Sequence, residues 1–532
     1  MSVLPDYTQL SLAEQIAQMI IVRASGHSFD HQIRFPQWEP NLEKLQHWLQ
    51  TLKVGGVILL GGSAIEIRER TEQLQRWAEI PLLLAADIEE GVGQRFAGAT
   101  WFPPPMALGE IAKTDFPLAQ AYATKMGKVT AQEALAVGLN WVLAPVVDIN
   151  NNRDNPVINV RSFGETPEIV QALTEAYITG VQTEAILTTA KHFPGHGDTA
   201  TDSHLKLPVL AVGTERLATV ELPPFQGAIA QGVDAVMSAH LLVPAWDETL
   251  PATLSGTILT QQLRLNLGFE GLIVTDALIM GALNEIASPE AVAILAVEAG
   301  ADILMMPDDP ERAIAAIMDA VNSGRLSPQR ISASVARIWE AKRKINTAET
   351  RDIHRTLATP TALETTQGIL TASIRKKGNF PLSSPDSPAQ NLVIVDDLLN
   401  CDILDRNHCA IALPQQLGYE LQILGQAQVF PETPQNTPLT LVQLFTRGNP
   451  FRGESGLNEG TKALLQALIN QGSVQAVIVY GSPYVLTWLD SHLPETIPYL
   501  FSYGQMSESS AIVLRELFDN SQLTSSKDKS FL

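Results

Sequence analysis

Ile186-Leu187-Thr188-Thr189-Ala190-Lys191-His192-Phe193-Pro194-Gly195-His196-Gly197-Asp198 is a short apolar run that empties into charged residues, a proline and two glycines. The breakers exclude a regular helix, so the segment reads as a strand end opening into a loop. The same pattern recurs on both sides of it. Apolar runs at 18–23, 54–60, 81–87, 139–148, 186–192, 235–240, 271–276 and 301–305 alternate with segments of helical period at 42–52, 64–78, 117–137, 166–183, 214–231, 257–267 and 289–299. Near-continuous apolar strands between amphipathic helices argue for a parallel sheet covered by helices. Eight of them predict a closed (β/α)8 barrel over residues 1–345, a length that fits such a barrel with insertions.

The ends of these runs carry the chemistry. Asp87, Asp148, Lys191, His192, His240 and Asp276 all stand at or just after a strand's C-terminal end. In such barrels that end holds the active site and the other end holds stability. A single Asp after a strand is most often a helix N-cap. Six ionisable groups arriving at one end read instead as an enzyme-like rim.

Downstream, residues 346–385 read as a connection and 386–520 as a smaller α/β domain with a mostly parallel sheet. Its apolar runs are 391–395, 409–413, 439–445, 474–480 and 499–503, with helical segments at 459–471 and 508–518. The polar tail, 521–532, is expected to be disordered.

Composition bounds the partners. The 532 residues carry 36 basic and 57 acidic side chains, a net charge of −21. A general nucleic-acid or anionic-membrane binder is therefore disfavoured, because little is present to release phosphate counterions. The 45% apolar content excludes overall disorder. Two cysteines, Cys401 and Cys409, supply no disulfide framework. The apolar run 19–22 is too short for a secretory signal and no stretch approaches the ~20 apolar residues of a membrane span, so a cytoplasmic location is expected.

The densest constellation is 191–204, with three histidines, two aspartates and a lysine on one loop. A loop rich in titratable groups at this end of a barrel is where an acid/base belongs. His192 and His196 have metal-ligand spacing, but Pro194-Gly195 breaks the helix that would align them, and no cysteine joins them. No metal or cofactor is expected there. Asp202 and His204 are two residues apart, so in an extended loop the carboxylate can orient the imidazole and raise its pKa. Asp276 ends the run Ile273-Val274-Thr275-Asp276 and can attack from the opposite face of a bound substrate. Cys401, His408 and Cys409 read as a strand edge with core-type cysteines rather than a metal site.

At these residues the chain resembles the family 3 glycoside hydrolases, in their bacterial two-domain β-N-acetylglucosaminidase branch. Residues 191–204 are similar to the signature K-H-F-P-G-H-G-x-[TV]-x-x-D-S-H, and Thr275-Asp276-Ala277-Leu278 to the family's [ST]-D-x-[LM]. The resemblance implies Asp276 as nucleophile, His204 as acid/base and Asp202 as its partner. Asp87-Ile88-Glu89-Glu90-Gly91-Val92-Gly93-Gln94-Arg95-Phe96 resembles D-x-E-G-G-R-V-Q-R-F, with departures at Glu90, Val92 and Gly93, and 155–164 resembles N-P-V-I-x-x-R-S-F-G. By that resemblance Asp87, Arg95, Arg161, Lys191 and His192 contact the sugar. Thr446 to Pro450, Gly481 to Tyr484 and Ser502 to Gly504 look like landmarks of the family's C-terminal α/β sandwich.

The implied activity is retaining hydrolysis of terminal N-acetyl-β-glucosaminides, with a small carbohydrate as the partner and cell-wall fragments carrying an anhydro-muramyl sugar as the substrate. A phosphorylase, a β-glucosidase and a non-catalytic sugar-binding sensor are the rival readings. Asp276, Asp202 and His204 together argue against the sensor, since a pure binder does not need all three.

Overall fold

The computed structural model describes residues 4–203, 206–283, 285–345, 351–399, 401–427, 437–448 and 456–518. They divide into two compact units, one ending at Thr365 and one beginning at Thr366.

The first unit is the expected barrel. Its strands are β1 (Ile20–Ser25), β2 (Gly56–Leu60), β3 (Leu83–Ala86), β4 (Trp141–Val142), β5 (Leu187–Phe193), β6 (Ala235–Ser238), β7 (Leu272–Thr275) and β8 (Leu304–Met305). They pair in parallel in the order β7-β6-β5-β4-β3-β2-β1-β8. A parallel bridge between Val274 and Ile303 brings the two ends of the row together. Nearly every strand residue is buried, as expected for a parallel sheet with helices outside and packed side chains inside.

Local signals set the helix starts. Ser63 and Glu66 form a reciprocal capping box on Ala64–Trp77, and Ser288 and Asp309 cap helices that open with Pro289 and Pro310. Two readings differ in detail. The run 139–148 yields only a two-residue strand, because Pro145 has no N–H to continue the ladder. Asn140 replaces ladder bonds with its side chain, accepting from Leu84 N–H and donating to Leu82 O. Over Thr257–Asn266 the helix is of the wider π type, a difference that an apolar period near 3.6 cannot signal.

The bottom of the barrel is structural. Asp302, fully buried just before β8, accepts from Ile273 N–H, Arg264 and Ser334.

The second unit contains β9 (Arg375–Lys377), β10 (Ala389–Val395), β11 (Tyr419–Gly425), β12 (Leu439–Thr446), β13 (Val474–Gly481) and β14 (Tyr499–Ser502), ordered β11-β10-β12-β13-β14-β9. All pairs are parallel except β14–β9. The connecting segment thus contributes more than a link: it carries the helix Pro360–Ala372 and the antiparallel edge strand β9. Residues 409–413, expected as a strand, form the helix Cys409–Gln416, and β11 supplies the strand instead. A short apolar run does not distinguish the two by period. His408 decides it locally, because its Nδ1 accepts from Ala410 N–H as an N-cap while Nε2 donates to Gln505 O. The tail, 521–532, lies outside the described residues.

Candidate active site

Three strand ends build one charge-balanced cluster. Lys191 at the end of β5 donates from Nζ to Asp87 Oδ1 and pairs with Glu89 Oε1, each at 2.7 Å. Arg161 grips the same Glu89 through Nε (2.9 Å) and Nη2 (2.8 Å), with Nη1 on Val157 O at 3.0 Å. Two cations and two carboxylates therefore satisfy one another, the condition on which buried charges such as Lys191 and Glu89 are tolerated. Burial opposes the charge on Glu89, but Arg161 and Lys191 outweigh it and hold the carboxyl well below its usual range. For Lys191 burial is likewise overcome by Asp87 and Glu89, and its pKa rises. Side-chain exposure grades from 1% at Lys191 to 17% at Arg161 and 28% at Asp87, so an incoming ligand meets Asp87 and Arg161 first. Arg95 is exposed and donates from Nε to the Asp87 carbonyl rather than to its carboxylate (3.0 Å).

A second network orients the histidines. Asp148 accepts from the backbone N–H of His192 and of His196 and sits 2.8 Å from His192 Nδ1. It is a clamp on the loop and not a helix cap. Burial raises its pKa, yet His192 and His196 prevail and lower it. Gly197 passes so close that a Cβ there would lie 1.6 Å from Ile149 O. No other residue fits.

His196 Nδ1 lies 2.7 Å from Thr199 Oγ1, which itself donates to His196 O. That arrangement assigns the proton to Nδ1. Nε2 is left with no hydrogen-bond partner among the described residues. Burial drives the His196 pKa down to about 4, so the ring is neutral above that. The unfolded chain takes up this proton near pH 6.5 and the folded chain does not, so His196 lowers stability as pH falls from about 6.5 toward 4. Denaturant midpoints measured across that window should fall less steeply for His196→Asn than for the wild type. Equal slopes would refute the assignment.

Asp276 follows β7. Its Oδ1 accepts from Ala277 N–H at 2.7 Å, and its own N–H donates to Ser238 O at 3.2 Å. The next helical turn, Gly281–Leu283, starts too late for Asp276 to be its cap. His240 steadies the turn by donating from Nε2 to Ala277 O (2.9 Å), with Nδ1 2.8 Å from Thr253 Oγ1. Asp276 also adds to the electrostatic field at His196. Asp202 is buried at 2% exposure. His204, its expected partner, lies outside the described residues.

The glycosyl hydrolase family 3 N-terminal domain matches residues 11–341, and the bacterial family 3 C-terminal domain matches 383–519. The chain belongs to glycosyl hydrolase family 3. It is a glycoside hydrolase. It is 30% identical to β-hexosaminidase A of Pseudoalteromonas piscicida, over 84% of this chain and 82% of that one. A solved family 3 β-N-acetylglucosaminidase from Paenibacillus sp. str. FPU-7 is also 30% identical, with a TM-score of 0.78 over 95% of this chain and 96% of its own. A solved β-glucoside phosphorylase is similar in fold at 23% identity, with a TM-score of 0.82 over 96% of this chain and 93% of that one.

The departures from the family pattern at Glu90 and Gly93 have a structural reason. Glu90 Oε2 accepts from Trp101 Nε1 at 2.9 Å, Phe102 N–H donates to Glu90 O, and Gly93 N–H donates to Thr100 O. A Cβ on Gly93 would lie 2.4 Å from Ala99 O. The 90–93 turn is thus folded back against 99–102. Glu89 is the residue that sequence reading missed. Its signal was present in the Asp87-Ile88-Glu89 spacing, but a second carboxylate two residues on reads as ordinary until its two cations are seen. Among the described residues no group of three His, Cys, Asp or Glu converges as a metal site, and none of their helices is long and apolar enough to cross a membrane.

Proposed function

We propose that the chain is a retaining exo-β-N-acetylglucosaminidase, releasing terminal non-reducing N-acetylglucosamine from cell-wall fragments or related aminosugar glycans. The observation that carries this is the balanced Asp87–Lys191–Glu89–Arg161 cluster at β3–β5 with Asp276 at β7 of the same rim. The hexosaminidase and β-N-acetylglucosaminidase relatives support the aminosugar.

Asp87 and Arg161 bind sugar hydroxyls by charge-assisted hydrogen bonds, Lys191 and His192 line the same ring, and Arg95 supports the Asp87 turn. Asp276 attacks the anomeric carbon. The glycosidic C–O bond breaks as His204, oriented by Asp202, gives its proton to the leaving oxygen. Neutral His204 then takes a proton from water, whose oxygen displaces Asp276 and restores the β configuration.

The test is 4-nitrophenyl N-acetyl-β-D-glucosaminide beside the β-glucoside, followed by proton NMR, with and without phosphate. Faster turnover of the aminosugar and free β-N-acetylglucosamine as first product are expected. An α product would overturn retention. Sugar 1-phosphate formed whenever phosphate is present would make the chain a phosphorylase, and preference for the glucoside would make it a β-glucosidase.

A further inference from the structure

The loop that carries Asp202 is tied down on several sides. Near its start Asp148 accepts from His196 N–H, and Asn155 Nδ2 donates to the carbonyls of His196 and Gly197 at 2.8 and 3.1 Å. At its far end Leu210 N–H donates to Leu242 O and Leu242 N–H to Pro208 O. A third tie comes from the helical turns that follow. Glu221, the last residue of Leu217–Glu221, packs its stem so close to Gly195 that a Cβ there would lie 3.0 Å from Glu221 Cβ. Arg216 Nη2 pairs with Glu221 Oε1 at 3.1 Å and lies 3.5 Å from Asp198 Oδ2. Gly195 and Asp198 stand between the sugar-binding end of the loop, Lys191 and His192, and Asp202.

An exposed ion pair contributes little, and Asp198 and Arg216 are only partly covered. Glu221 changes the balance. Its side chain is 4% exposed, and neither carboxylate oxygen has a hydrogen-bond partner among the described residues. Arg216 is the cation that compensates it. Burial raises the Glu221 pKa, Arg216 opposes that rise and Asp198 adds to it. One guanidinium thus stands between two carboxylates that otherwise repel, one on the loop and one fixed beneath it. Removing the cation does more than untie the loop: it pushes Asp198 away from Glu221.

We propose that Arg216 and Glu221 are positioning residues, which with Asp198 form a clasp that sets the loop carrying Asp202 and so governs proton transfer in both steps of the reaction. The reading rests on the proposed function. The test uses the full chain in phosphate-free buffer with two substrates, and urea midpoints run alongside. N,N′-diacetylchitobiose has a leaving sugar that needs a proton, and 2,4-dinitrophenyl N-acetyl-β-D-glucosaminide has a phenolate that does not. Arg216→Ala should lower kcat/KM about tenfold or more on the disaccharide and less than about twofold on the aryl glycoside. On the aryl glycoside kcat and KM should fall together, because water then lacks its base, and azide should restore kcat and yield the β-glycosyl azide. Arg216→Lys keeps a cation between the carboxylates and should retain most of the disaccharide activity. Asp198→Asn removes the loop side of the clasp without stranding a buried charge, and should show the same split more weakly. Should Arg216→Ala fail to fold, Asp198→Asn decides by the same ratio. Equal losses on both substrates, or none in either variant, would make the cluster structural support alone and overturn the inference while the activity stands. A wild type that does not cleave the aryl aminosugar overturns the proposed function, and the clasp with it.

Discussion

Asp276→Ala is expected to remove nearly all turnover, by on the order of 10⁴-fold or more, because the proposed covalent step loses its proposed nucleophile. Structure should survive. The hydrogen bond to the neighbouring Ala277 N–H is among the interactions lost, and such a bond is worth about 1 kcal/mol net. Steady-state rates on the nitrophenyl aminosugar, with thermal unfolding alongside, measure both. A slow fluorinated trapping substrate followed by mass spectrometry should place the adduct on Asp276 in the wild type and on nothing in the variant. Near-normal turnover in Asp276→Ala, or an adduct on Asp87 or Asp148, would move the nucleophile elsewhere.

The second large effect is expected at Glu89. Removing its side chain takes from Lys191 and Arg161 the one buried carboxylate that both contact. Breaking one partner out of a buried ion cluster costs about 3–5 kcal/mol. Glu89→Ala should therefore lower the barrel's urea midpoint markedly and reduce kcat/KM at least about a hundredfold, as Arg161 loses its orientation. Glu89→Gln keeps the shape but not the charge, and should fall between the two. Because Arg161 and Lys191 hold the Glu89 pKa well below its ordinary value despite burial, its contribution is full above about pH 4.3 and is lost as pH falls through the lower folded value. The stability difference between wild type and Glu89→Gln should shrink on that acid side only. A midpoint unmoved by either substitution would mean that the cluster is not closed in solution.

The barrel was legible because its physics is periodic. Each parallel strand is buried on both faces and so reads as an apolar run, and all eight runs fall on strands. Asp87, Asp148, Lys191, His192, His240 and Asp276 were legible as a set because the C-terminal rim is where ionisable groups can serve a ligand. Roles within the set were not. Lys191, expected as a sugar contact, is also buried and joins Asp87 to Glu89. Asp148 looked like a cap or an acid and is the clamp that aims two histidines. The second unit was harder, since the 409–413 run carries too few residues for its period to separate strand from helix.

Local sequence by itself determined the alternation of strands and helices, the helix starts set by Ser63, Ser288 and Asp309, and the loop that Pro194, Gly195 and Gly197 impose. Only the tertiary structure decided which charges neutralise one another. Asp87, Glu89, Arg161 and Lys191 come from three chain segments up to 104 residues apart. Their pairing depends on strand order and on exclusion of water, and neither leaves a trace in the spacing of residues along the chain.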